Sequence, residues 1–324
     1  VLLLSGCGGK ESAYVAESEQ NTEPPVTVEP TEEEPLGCAG IDEMPWYNAQ
    51  ITDFGLGLLQ GSLEDGENAL ISPVSVLAAL AMTANGAEGE TLRQMETVLG
   101  RNKDALNQWY EQDIVESGHP YLHLANAIFI KDEPKITVKE DFLQTLEQSY
   151  RTGIYMTSFN ESTLRDINLF VEENTNGMVK NVLDKIPAEA ILYLVNALAF
   201  EARWVMPYNE NSVQEGVFTT RDGREQTVEL MYSEEGHHVY IEKELYTGFL
   251  KNYEGGRYVF AALLPKEGIT VEELVDSLSG DAIAELFNSP VEGNVLTALP
   301  KFQTEFDVNM NEVLQSMGMI DAFD

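Results

Sequence analysis

The chain has 324 residues, is 43% hydrophobic and carries a formal net charge of −36, from 55 acidic against 19 basic side chains. That length and apolar content suit one large domain or two small ones. So acidic a surface argues against nucleic acid and against direct binding to anionic lipid, because both repel it.

The first ten residues, VLLLSGCGGK, form a short apolar run ending in Leu4-Ser5-Gly6-Cys7. The tetrad resembles a bacterial lipobox, with Cys7 as the lipidated residue, and residues 1–7 are expected to be the remnant of a lipoprotein signal cut at its start. The alternative is an apolar fragment with an incidental cysteine. An anchor on Cys7 would place the protein on the outer face of a bacterial membrane, at the cell surface. Residues 8–44 are rich in Glu and Pro and poor in large apolar side chains, which predicts a solvated, self-repelling tether. Cys38, the second and last cysteine, lies in it. No apolar run after the start is long enough to span a membrane.

The folded part is predicted at 45–324. Ile51, Phe54, Leu58 and Leu59 have helical spacing over 48–60. In Asn68–Gly100, Ser72 offers an N-cap hydroxyl and Pro73 suits a first helical turn. From Pro73 to Ala84 the only polar side chains are Ser75 and Thr83, which predicts a helix buried on nearly every side. Asn85-Gly86 is expected as its left-handed C-cap, and Thr91 and Gln94 as a capping box for a helix ending at Gly100. A polar helix is expected over 104–116, and a strand over 121–130 with Leu122, Leu124, Asn126, Ile128 and Ile130 on one face. A helix at 138–150, a strand at 152–159 and an amphipathic helix at 161–176 follow. Leu164, Ile167 and Val171 should face inward there. The run 190–204, AILYLVNALAFEARW, can be a buried strand or a buried helix. Its Ile, Tyr, Val and Phe favour a strand, with Asn196 a buried amide that demands partners.

Asp222-Gly223 and Gly255-Gly256 read as hairpin turns. A short helix is expected at 271–278 and a last one at 308–317. Over 295–306, Phe302, Thr304 and Phe306 alternate against polar neighbours, as in a strand buried on one face. His119, His123, His237 and His238 form no catalytic or metal-binding pattern, and surface histidines are the better reading. An enzyme is not expected.

Several of these stretches, in order and spacing, resemble the serpin family of serine protease inhibitors. NALISPVS at 68–75 is similar to the start of the family's helix B, and LFVEENTNGMVKNVL at 169–183 to helix F and the turn after it. The run 190–204 resembles the central strand of sheet A, LPKF at 299–302 a signature strand, and MGMIDAFD at 317–324 the family's L-G-I-x-D-x-F. The resemblance implies an α+β serpin fold with a large sheet A, sheets B and C incomplete, and the reactive loop and last strands beyond Asp324. It implies that Ser72, Pro73, Ser75 and Asn196 form the shutter where the sheet opens. Trp204 and Lys301 would lie at the breach, the upper end where a loop begins to enter. The implied function is suicide inhibition of a serine, or else a cysteine, endopeptidase by loop insertion, without metal or other cofactor. The alternatives are a non-inhibitory surface binding module and an inactive fragment. The implied partner is the target endopeptidase, and the membrane is reached only through Cys7.

Overall fold

A computed structural model describes residues 2–4, 49–64, 66–235, 239–288, 291 and 293–323. The expected tether, Cys7, Cys38 and the His237-His238 pair lie outside the described residues.

The apolar stretch at 73–84 folds as helix α2 (Pro73–Ala84), reached from α1 (Ala49–Ser62), and Val76 to Met82 are buried without a break. Gly55 lets α1 lie against its start, because a Cβ there would meet Pro73 Cγ at 2.8 Å. Two capping expectations fail locally. Asn85 is right-handed at the C-cap, its N–H bonded back to Met82 O and Thr83 O, so the turn needs no left-handed residue. Helix α3 (Gly89–Leu99) begins at a Glu88 cap, three residues before Thr91. Gly100 does close α3 in the left-handed region, with φ 71°.

The polar helix expected at 104–116 divides into α4 (Lys103–Trp109) and a π-helix (Tyr110–Glu116). The chain continues through β2 (Leu122–Lys131), α5 (Glu140–Tyr150), β3 (Gly153–Thr157), α6 (Glu161–Asn174) and β4 (Leu192–Phe200). The ambiguous run at 190–204 is therefore a strand. With β1 (Leu2–Leu4), these strands form one sheet in the order β1-β4-β2-β3. β2 and β4 are antiparallel, with Asn126 directly opposite Asn196, whereas β1 runs parallel to β4 at Leu194 to Asn196.

Both faces of β2 and β4 are covered, which explains why their sequences show no clean polar alternation. Ile128, Ile130 and Leu194 join the core beneath α2, while Ala127, Phe129, Tyr193 and Val195 pack with Ile167 and Val171 of α6. Burying those side chains contributes about 1.5–3 kcal/mol for each large apolar residue.

The second half builds β5 (Val213–Thr219), β6 (Glu225–Glu235), β7 (Tyr240–Glu242), β8 (Tyr246–Asn252) and β9 (Val259–Pro265). Helices α7 (Val271–Asp276) and α8 (Gly280–Asn288), strand β10 (Val295–Pro300) and helix α9 (Asn311–Ser316) complete it. Two antiparallel sheets result, β10-β6-β5 and β7-β8-β9. Both predicted hairpins form, with positive φ at Gly223, Gly255 and Gly256. The strand expected over 295–306 stops at Pro300. Lys301 N–H still donates to Glu229 O at 2.9 Å, but among the described residues no strand pairs with 302–306, so the alternation there has no ladder to join and Phe302 stays 69% exposed.

Candidate functional site: a polar seam beneath the sheet

Ser75, in the first turn of α2, projects at the underside of β4. Its Oγ–H donates to Asn196 Oδ1, and Asn196 Nδ2 donates to Asn126 Oδ1 at 2.8 Å. Asn126 Nδ2 in turn donates to the Tyr110 hydroxyl and to Tyr150 O, both at 2.8 Å. Ser75, Asn126 and Asn196 are at most 4% exposed, so each group not paired here would cost about 1–3 kcal/mol. The chain extends further, from the Tyr150 hydroxyl to Asn107 Oδ1 at 2.6 Å, and on to Asn85 through reciprocal amide bonds of 2.8 and 2.9 Å. Neutral amides and hydroxyls thus tie α2 at both ends to α4, to the first residue of the π-helix and to the middle of the sheet. Burial pushes the Tyr110 hydroxyl up to about 12, against a smaller lowering by Asn126, and raises Tyr150 strongly as well.

The expected site residues separate into groups. Ser75 and Asn196 meet directly. Pro73 occupies the first helical turn, and Ser72 precedes the helix as its cap residue, although its hydroxyl makes no capping bond. Asn126 was placed by its strand pattern among apolar residues, and the structure makes it the centre of the seam. A signal existed for it: both apolar runs carry an Asn-Ala pair at mid-strand, and opposed strands bring the two amides together.

A groove of about 1020 Å³ runs beside β4, lined by Leu192 and Leu194, by Leu80 and Thr83 of α2, and by Met310 and Phe323. At the far end of β4 the chain bends onto the β7-β8-β9 sheet, with Val205 N–H donating to Asn252 O and Glu254 N–H to Arg203 O. Between these bonds Trp204 stacks on Tyr253 at 4.2 Å and 13°. Lys301 is not part of this arrangement. Its Nζ lies 3.7 Å from Glu229 Oε2, both exposed, towards the opposite end of β6 from Glu235.

Among the described residues no group of His, Cys, Asp and Glu is placed to hold a metal. His123 is exposed, but His119 is more than a surface residue. It is half-buried, with ring nitrogens against Asp113 O, the Ser117 hydroxyl and the Tyr258 hydroxyl.

A family profile described as Serpin (serine protease inhibitor) matches residues 49–324. The chain belongs to the serpin family. Among its relatives, an uncharacterized serpin-like protein of Thermococcus kodakarensis is 29% identical over 291 residues, which are 87% of this chain and 67% of that one. Thyroxine-binding globulin of Rattus norvegicus is also 29% identical, over 303 residues that cover 89% of this chain and 71% of the relative. In the solved structure of the thermophilic serpin tengpin in its latent state, the match is 42% identical with a TM-score of 0.80. It covers 88% of this serpin and 78% of that chain. The mixed architecture of helices and sheets described above is accordingly the serpin fold, and the family to which the chain belongs is one of protease inhibitors.

Proposed function

We propose that this serpin inhibits a serine-type endopeptidase, with a cysteine endopeptidase as the narrower option, by taking a cleaved loop of its own into the sheet that holds β2, β3 and β4. The observation that carries this reading is the buried seam of Ser75, Asn196 and Asn126 beneath the strand bordering the groove. A sheet that must part needs central contacts that hold until a new strand arrives and can then be remade. Hydrogen bonds between neutral groups suit that task, since each contributes only about 0.5–1.5 kcal/mol net. In the proposed cycle the folded protein is held by kinetics. The endopeptidase cuts the loop, the acyl-enzyme forms, and insertion of the loop as a strand distorts the trapped enzyme, releasing the strain once. Ser72, Pro73, Ser75 and Asn196 act as the gate, with Asn126 joining them. Trp204 acts at the end where the loop starts to enter, and Lys301 acts from the Glu229 side of β6, apart from Trp204.

The test is incubation of the protein, expressed from its gene, with trypsin-like, chymotrypsin-like and elastase-like endopeptidases and with a papain-like one. A covalent complex that survives denaturing electrophoresis supports the proposal. Cleavage without a complex, by every enzyme tried, refutes it. The second reading, a non-inhibitory binding protein, is favoured by the similarity to thyroxine-binding globulin, and cleavage without complex formation is its expected result. We further propose that Cys7 carries a lipid anchor and that the acidic segment 8–44 holds the domain away from a bacterial surface.

A further inference from the structure

Lys251 and Glu235 form an ion pair in which both residues are buried, at 3% and 6% exposure. Lys251 stands near the end of β8 and Glu235 is the last residue of β6, so the pair staples two sheets together. The ammonium also faces two rings of the segment leaving β4. Lys251 Nζ lies 4.6 Å from the Tyr208 centroid and 5.8 Å from that of Trp204. Trp204 is held on its other sides by the Tyr253 stack and by the edge of Phe260 at 5.5 Å. Two sheets and the segment leaving β4 therefore meet at one buried cation.

A pair like this is a poor source of stability. Removing two charges from water offsets much of their attraction, and apolar residues of similar volume commonly do as well or better. What a charge supplies that a methyl group does not is direction, since the ammonium is attracted to ring faces and to one carboxylate. The ring it directs closes the end of β4.

We propose that Lys251 and Glu235 are positioning residues for strand admission: the pair holds Trp204 across the end of β4 and so sets the barrier to a strand arriving there. The inference rests on the insertion reading given above.

The test uses the protein labelled with fluorotryptophan, the Trp204 fluorine resonance being identified by its loss in W204F. Uptake of a fluorescein-labelled peptide of alternating Thr and Ala is followed by anisotropy. Two variants are compared, K251M, which strands a buried carboxylate, and K251M/E235L, which removes both charges while keeping apolar volume. The double variant carries the test if K251M fails to fold. In the double variant the unfolding midpoint should return to that of the wild type. The Trp204 resonance should still shift, and uptake should still run about tenfold faster, equivalent to about 1.4 kcal/mol of barrier. A double variant with an unmoved Trp204 resonance, or with a wild-type uptake rate, overturns the proposal. A wild-type protein that takes up no peptide overturns both this proposal and the insertion reading. It is thereby distinguished from failure of the staple alone, in which the wild type takes up peptide and the double variant does so no faster.

Discussion

Replacing Asn196 with Leu probes the seam directly. Asn196 is fully buried, accepts the Ser75 hydroxyl and donates to Asn126 Oδ1. Leucine has the same branching but neither function, so the variant leaves two buried groups, the Ser75 O–H and Asn126 Oδ1, without that partner. At about 1–3 kcal/mol for each orphaned group the loss is about 2–6 kcal/mol. Domains of this kind have only about 5–15 kcal/mol to lose. Because Ser75 is one of the orphans, Ser75→Ala in the Asn196→Leu background should restore about 1–3 kcal/mol, although Ser75→Ala alone destabilises. Equilibrium urea unfolding of the four proteins, followed by circular dichroism, measures both terms where unfolding is reversible. Native-state hydrogen exchange should show the loss concentrated in the amides of β2 and β4. A loss below about 1 kcal/mol for Asn196→Leu, or no recovery in the double variant, would refute the reasoning. A bulkier residue at 196 should go further and promote polymers on mild heating.

The alkaline limb of stability should reflect Tyr110. Burial raises its pKa from the ordinary 10.0 to about 12. The folded chain therefore keeps a proton that the unfolded chain loses between those values, so this contribution is intact below pH 10.0 and falls as pH rises towards 12. The fall is roughly 3 kcal/mol across the window, and Tyr110→Phe should flatten that part of a urea-midpoint profile while costing about 1 kcal/mol at neutral pH for the lost Asn126 bond. Gly55→Ala should cost about 1–3 kcal/mol in thermal unfolding, because its Cβ would press on Pro73; an unchanged midpoint would mean that α1 shifts freely. Cys7→Ala should release the protein from membranes on fractionation, and wild-type protein already found in the soluble fraction would sink the lipid-anchor proposal.

Local chemistry made much of this fold legible. A run opened by Ser72-Pro73, with only Ser75 and Thr83 as polar side chains, reads as a buried helix, and α2 spans those bounds. Gly223 and the Gly255-Gly256 pair announced their hairpins because few other residues tolerate positive φ. Ile167 and Val171 announced the inner face of α6 by their spacing. Legibility failed where a residue's state depends on something distant in sequence. Phe302 and Phe306 alternate as a strand should, yet a strand needs a neighbour to bond, and 302–306 pairs with no strand among the described residues. Asn85-Gly86 has the composition of a left-handed cap, but Asn85 spends its side chain on Asn107 and Ala81 O and stays right-handed.

The candidate site divides along the same line. From sequence alone, Asn196 was a buried amide in need of partners, Ser75 a hydroxyl on a helix with no polar side, and Trp204 an aromatic at the end of an apolar run. Those statements follow from polarity and period, which are local. Which groups satisfy one another was decided by the β2–β4 register, which sets Asn126 opposite Asn196, and by the packing of α2 beneath both. Lys251 and Glu235 show the limit most plainly. Each is an unremarkable charge in its own strand, and only the meeting of two sheets over Trp204 turns them into a buried pair, because the partner that lets a charge leave water has to be supplied in three dimensions.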